Sequence, residues 1–127
     1  MRSEVLVYLA GPITATPEKT VEEHVASAVG TYHRLLKMGI PCICPHLNAG
    51  FPSVFTVAYE TWLQLAEVLI PCCTHVLMLP GWPASKGAVR EREFAMREDI
   101  PIIYFERDVE KLLCDFSTPD SGSWSID

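Results

Sequence analysis

The stretch Leu79-Pro80-Gly81-Trp82-Pro83-Ala84-Ser85-Lys86-Gly87-Ala88-Val89-Arg90-Glu91 constrains this chain more than any other. It completes an apolar, β-rich run over residues 74–79, which Pro80 and Gly81 stop. Ser85 stands where an N-cap is needed, and a helix over 86–98 is predicted to follow. A strand that passes through a short loop straight into a helix is the building unit of a parallel α/β sheet. Glu91 falls about one turn into that helix, and at ~100° per residue it shares a face with Gly87, Ala88 and Ala95. A carboxylate among small residues, near a helix N-terminus whose free N–H groups favour anions and hydroxyls, is a candidate for chemistry.

The rest of the chain repeats that unit. Residues 4–10 are nearly all apolar, as in a central parallel strand covered on both faces, and Gly11-Pro12 end the run. Pro17 opens a predicted helix to residue 38, with Val21, Val25, Ala28, Val29, Tyr32, Leu35 and Leu36 on its apolar face and Gly39 closing it. A second strand is expected over 40–44, a long loop over 45–55, and a second helix over 56–69 with Ala58, Trp62, Leu65 and Leu69 facing the core. A fourth strand over 100–105 and a short helix over 107–113 complete the pattern. The alternation predicts one doubly wound, flavodoxin- or Rossmann-like parallel sheet over residues 1–114, in the order 2-1-3-4, with helices on both faces. In that order the loops 11–16 and 81–86 meet at the topological switch point, where ligands bind. Residues 115–127 read as a polar, flexible tail, with docking of Trp124 on a partner as the alternative.

Composition narrows the function. A formal net charge of −6 with no basic cluster argues against a nucleic acid polymer as partner. No apolar run reaches the ~20 residues of a membrane span, and the N-terminus reads as a strand, not as a signal peptide. The odd set Cys42, Cys44, Cys72, Cys73 and Cys114 lacks zinc-knuckle spacing, so buried thiols in a reducing, cytoplasmic setting are expected. No dinucleotide or Walker fingerprint and no metal-ligand spacing occur, so neither a metal nor another cofactor is implied.

Tyr8-Leu9-Ala10-Gly11-Pro12, Pro45-His46, and Leu79-Pro80-Gly81-Trp82 followed by Ser85-x-Gly87-x-x-x-Glu91-x-x-x-Ala95 together resemble the nucleoside 2-deoxyribosyltransferase superfamily over roughly residues 4–105. The likeness is to its small branch with a Leu-Pro-Gly-Trp loop. The resemblance implies a covalent glycosyl ester formed when the glutamate, here Glu91, attacks the anomeric carbon of a (deoxy)nucleoside or its 5′-monophosphate. It implies sugar or phosphate contact for Ser85, a place beside the nucleophile for Tyr8, and dimers in which a neighbour helps close each site. The chain departs from the pattern in three places. Its loop 11–16 carries no Arg, which predicts little gain from a 5′-phosphate, and Ala66 and Thr74 stand where relatives usually carry Asp, with Glu67 beside the first.

Independently of the likeness, a carboxylate is suited to stabilise or capture the oxocarbenium-like centre of N-glycoside cleavage, although first-turn acids also simply serve the helix dipole. The expected binding set is Gly11, Pro12, Ser85, Gly87, His46 and Trp82, the last by stacking on a base. His24 and His33 read as solvated, His75 as packing, and Glu93 as a surface partner of Arg90 or Arg97. Val57, Leu63 and Val68, off the expected core stripe, with Phe51, Phe55 and Trp82 near an open cleft, predict a homodimer or a dimer of dimers through the second helix. A nucleotide-binding module that has lost turnover, and a protein-interaction subunit, are the rival readings.

Overall fold

Four short runs of apolar residues pair into one parallel sheet in the computed structural model, which describes residues 4–116. They are β1 (Val7–Ala10), β2 (Cys42–Ile43), β3 (His75–Met78) and β4 (Ile102–Tyr104), in the order β2-β1-β3-β4. Tyr8 lies opposite Ile43 and Val76, and Met78 opposite Ala10 and Tyr104. The ladders are shorter than the apolar runs. Pro41 and Pro45, which have no N–H to donate, bracket β2 and confine its pairing to two residues.

Helices α1 (Val21–Lys37), α2 (Tyr59–Leu69), α3 (Lys86–Arg97) and α4 (Phe105–Phe116) connect and flank the strands. Ala28 and Leu35 of α1 pack with Val7, Leu9 and Leu77 on one face, joined by Phe105. Ala66 of α2 and Ala88 and Ala95 of α3 pack with Tyr8, Ala10, Val76 and Met78 on the other. The fold is the expected doubly wound α/β sheet. No helix among the described residues is long and apolar enough to cross a membrane.

Several boundaries differ from expectation. α1 begins at Val21, not Pro17, because Thr20 forms a capping box: its Oγ1 accepts from the Glu23 N–H, and the Glu23 carboxylate accepts from the Thr20 N–H, each at 3.1 Å. Gly39, at φ 79°, ends the helix as predicted. The loop 45–55 is instead two 3₁₀ turns, Pro45–Gly50 and Pro52–Thr56, which delay α2 to Tyr59. The buried face of α2 is Leu63 and Ala66, while Ala58 and Leu65 face solvent and Trp62 and Leu69 are half-buried. Apolar residues surround this helix, and the small Ala66 lets it lie closest to the sheet. The last helix is longer than the predicted 107–113. The tail assigned to residues 115–127, including Trp124, lies from residue 117 onward outside the described residues. All five cysteines are free, but only Cys44 and Cys73 are buried, whereas Cys72 and Cys114 are exposed.

Gly11 is required by close approach. A Cβ placed there would lie 2.8 Å from the Leu79 Cβ, and the Leu79 N–H already donates to the Ala10 carbonyl at 2.8 Å, so the two segments cannot separate. Gly11→Ala is therefore expected to destabilise the fold by about 1–3 kcal/mol in chemical denaturation. An unchanged midpoint would show that Leu79 yields freely.

Candidate active site

Alternation along β1 sends Val7 and Leu9 to the α1 side and Tyr8 to the α2–α3 side, where it is 1% exposed. A buried phenol requires a partner, and the Tyr8 hydroxyl donates to Glu91 Oε2 at 2.5 Å. Glu91 is delivered by α3. Ser85 starts that helix as predicted, its Oγ accepting from the Ala88 N–H at 3.1 Å. Ala88 and Ala95, one helical turn to either side of Glu91 and essentially inaccessible, bring α3 close enough to the sheet for the contact. The glutamate itself keeps part of its surface.

Two environmental effects oppose each other at this carboxyl group. Burial pushes its pKa up from 4.5 to about 7, and the hydrogen bond from Tyr8 pulls it down. Desolvation among apolar neighbours dominates. Burial, reinforced by the adjacent carboxylate, raises the Tyr8 phenol and keeps it a proton-bearing donor. The pair is a carboxyl group that titrates near neutrality held by a permanent hydrogen-bond donor.

Gly87 sits one turn before Glu91 on α3. A Cβ there would lie 3.0 Å from the hydroxyl oxygen of Tyr59, so the glycine makes room for that phenol at the first turn of the helix. Tyr59 was missed in the sequence. A glycine early in a helix signals a close neighbour, but nothing local says which residue, 28 positions away, supplies it.

The other expected site residues form separate groups. Gly11, Pro12 and His46 are all buried, at the carboxyl end of β1. His46, only 2% exposed, lies against the Gly11–Pro12 backbone, with its Nδ1 3.9 Å from the Cys44 Sγ. Its Nε2 has no hydrogen bond; burial lowers its pKa, and the Gly11 and Pro12 carbonyls only partly oppose the shift. His24, expected in solvent, is 8% exposed with Nε2 3.3 Å from Thr16 Oγ1. Trp82 packs against the buried cluster that includes Tyr8, and its ring faces Tyr104 at 5.7 Å between centroids, with the Arg92 guanidinium 5.2 Å from the Trp82 centroid.

The positions where an acid was sought are also explained. Ala66 is packed in the core, and Glu67 accepts from Arg90 Nε at 3.1 Å. Arg90 also forms a bidentate pair with Glu60 at 3.1 and 2.9 Å, tying α3 to α2, so it is not the partner of Glu93. Thr74 lies at the amino edge of the sheet, its Oγ1 bonded to the N–H and carbonyl of Leu6 at 2.9 and 3.0 Å. That edge is remote from the carboxyl-edge crevice.

These features define a doubly wound α/β domain with a tyrosine–glutamate pair between β1 and α3, beside the switch point of its sheet. Residues 5–104 match the family model DUF4406, a domain of unknown function, and the chain belongs to that family. No curated protein matches it.

Proposed function

We propose that this protein cleaves or transfers the N-glycosidic bond of a (deoxy)nucleoside or nucleoside 5′-monophosphate through a glycosyl ester on Glu91. The observation that carries this reading is the Tyr8–Glu91 hydrogen bond of 2.5 Å, which aims a partly accessible carboxylate from a closely packed helix. The ionised carboxylate attacks C1′, and the base leaves with the bonding electron pair and takes a proton from water. Water or a second base then attacks C1′ and frees the carboxylate. Tyr8 holds one oxygen of Glu91 so that the other is presented to the sugar. The reading places the protein in the cytoplasm.

One observation favours a binding module of the same fold without turnover: Ala66, Glu67 and Thr74 supply no free acid to the crevice. Incubation with deoxynucleosides and their monophosphates, followed by chromatography for free base, separates the two. Base release that disappears in Glu91→Ala supports the enzyme; thermal protection without release supports the module. Because loop 11–16 has no Arg, a 5′-phosphate is expected to improve binding less than tenfold, or about 1.4 kcal/mol. A hundredfold gain would refute that expectation.

We further propose assembly as a homodimer, or a dimer of dimers, through α2. Leu63 belongs to the core, which corrects its assignment to an outer face, but Leu65 is 43% and Val68 66% exposed. Phe51, between the two 3₁₀ turns before α2, and Phe55, in the second of them, are 66% and 84% exposed. Light scattering at micromolar concentration is expected to give twice or four times the chain mass. A single-chain mass with activity intact would show that each site is complete alone.

A further inference from the structure

A cavity of about 150 Å³ opens at the carboxyl ends of β3 and β4, lined by Trp82 and Tyr104 together with Met78, Pro80, Glu106 and Arg107. We infer that it binds one six-membered heteroaromatic ring, the pyrimidine base of the nucleoside, against Trp82 and Tyr104. Identifying the ring as a base rests on the function proposed above.

The walls are fixed before any ligand arrives. The two rings stand 5.7 Å apart at 44°, forming a corner and not a closed stack. Arg92 lies over both, 5.2 Å from the Trp82 centroid and 5.8 Å from that of Tyr104, and its Nε donates to the Tyr104 hydroxyl at 2.7 Å. Arg107 covers Tyr104 at 4.8 Å. Side chains locked in this way lose little freedom when a flat ligand enters, which favours stacking.

Size and charge choose the ligand. The space corresponds to about five water molecules at ~30 Å³ each and is below the ~300 Å³ of pockets for whole ligands, so one ring enters and its substituent stays outside. Glu106 accepts hydrogen bonds only, and Arg107, whose Nε and Nη2 are held by the Asp108 carboxylate at 3.1 and 3.2 Å, still has Nη1 to donate, a pair suited to a ring edge with both an N–H donor and ring or carbonyl acceptors. A bare phosphate has no flat face for the walls and would meet the Glu106 carboxylate. Consecutive residues of α3 link the cavity wall to the tyrosine–glutamate pair along the chain: Glu91 bonds Tyr8 in β1 and Arg92 bonds Tyr104 in β4.

The test is a titration with free cytosine, uracil, adenine and ribose 5-phosphate. Calorimetry uses the unaltered chain. Fluorescence uses a Trp62→Phe, Trp124→Phe variant, in which Trp82 is the remaining tryptophan. The pyrimidines are expected to bind saturably and quench Trp82. The double variant Glu106→Gln, Arg107→Ala, altered only at exposed positions, should bind them at least tenfold more weakly at an unchanged melting temperature. Glu91→Gln should bind them within twofold of the parent. No saturable pyrimidine binding, tenfold preference for adenine, binding of ribose 5-phosphate alone, or full affinity in the double variant would each overturn the inference. Pyrimidine binding without base release from any nucleoside leaves the cavity assignment standing and removes the proposed reaction. Base release unaffected by the double variant does the reverse.

Discussion

Under the proposed reaction, Glu91→Gln is expected to lower base release by about a thousandfold or more while leaving the fold intact, because the amide keeps the shape of the side chain but cannot form the glycosyl ester. Its carbonyl can still accept from the Tyr8 hydroxyl. Stability should then reveal the ionisation that chemistry needs. The pKa of Glu91 is raised in the folded chain, from 4.5 to about 7, so the native state holds this proton more tightly than the unfolded chain does. The associated stability is fully present below about pH 4.5 and is lost as the pH rises through about 7. The corresponding free energy is at most about 3 kcal/mol, reduced by the partial exposure of the side chain. Glutamine has no proton to lose. The variant should therefore melt with the wild type at pH 4 and several degrees above it at pH 8. A lower melting temperature at pH 8 would mean that the ionised carboxylate holds the structure together, and retained turnover would remove Glu91 from the chemistry.

Tyr8→Phe carries the second large effect, and its signature is a pH profile. The hydroxyl of Tyr8 stabilises the ionised form of Glu91, so its loss raises the pKa of the carboxyl group further. A hydrogen bond to a charged group contributes about 1.5 kcal/mol, which moves the acid limb of turnover upward by about one pH unit. At pH 6 the variant should be roughly tenfold slower than the wild type, and at pH 9 the two should nearly converge. Equal slowing at every pH would show that Tyr8 touches the reacting sugar itself. No slowing at pH 6 would show that the hydrogen bond is idle in turnover.

The two effects share a physical origin. The fold buries a carboxyl group for reach and orientation, and burial favours its protonated form. Tyr8 supplies a donor that is itself too buried to lose its proton. The resulting acid titrates near neutrality, so modest changes in its surroundings move its ionised fraction, the form that the proposed reaction requires.

What the sequence determined by itself was the part encoded in short-range chemistry. The apolar runs ended by Gly11-Pro12 and Pro80-Gly81 marked the strand ends, and the periodic face of α1 and the Ser85 cap of α3 marked the helices. The spacing Ala88, Glu91, Ala95 is local to one helix face, so the direction of the glutamate toward the sheet was legible, whereas Tyr8 was placed beside it only by the family resemblance. Tertiary structure decided the rest. The phase of α2 was ambiguous because Trp62, Leu63, Leu65, Val68 and Leu69 surround the helix with apolar surface, and only packing against the sheet selected Leu63 and Ala66. The partners of Gly87 and Arg90 come from α2, tens of residues away, and no local pattern specifies such pairs. His46 and Trp82 have side chains suited equally to ligands and to packing. Their places, against the Gly11–Pro12 backbone and beside Tyr104, follow from which elements the sheet order sets side by side.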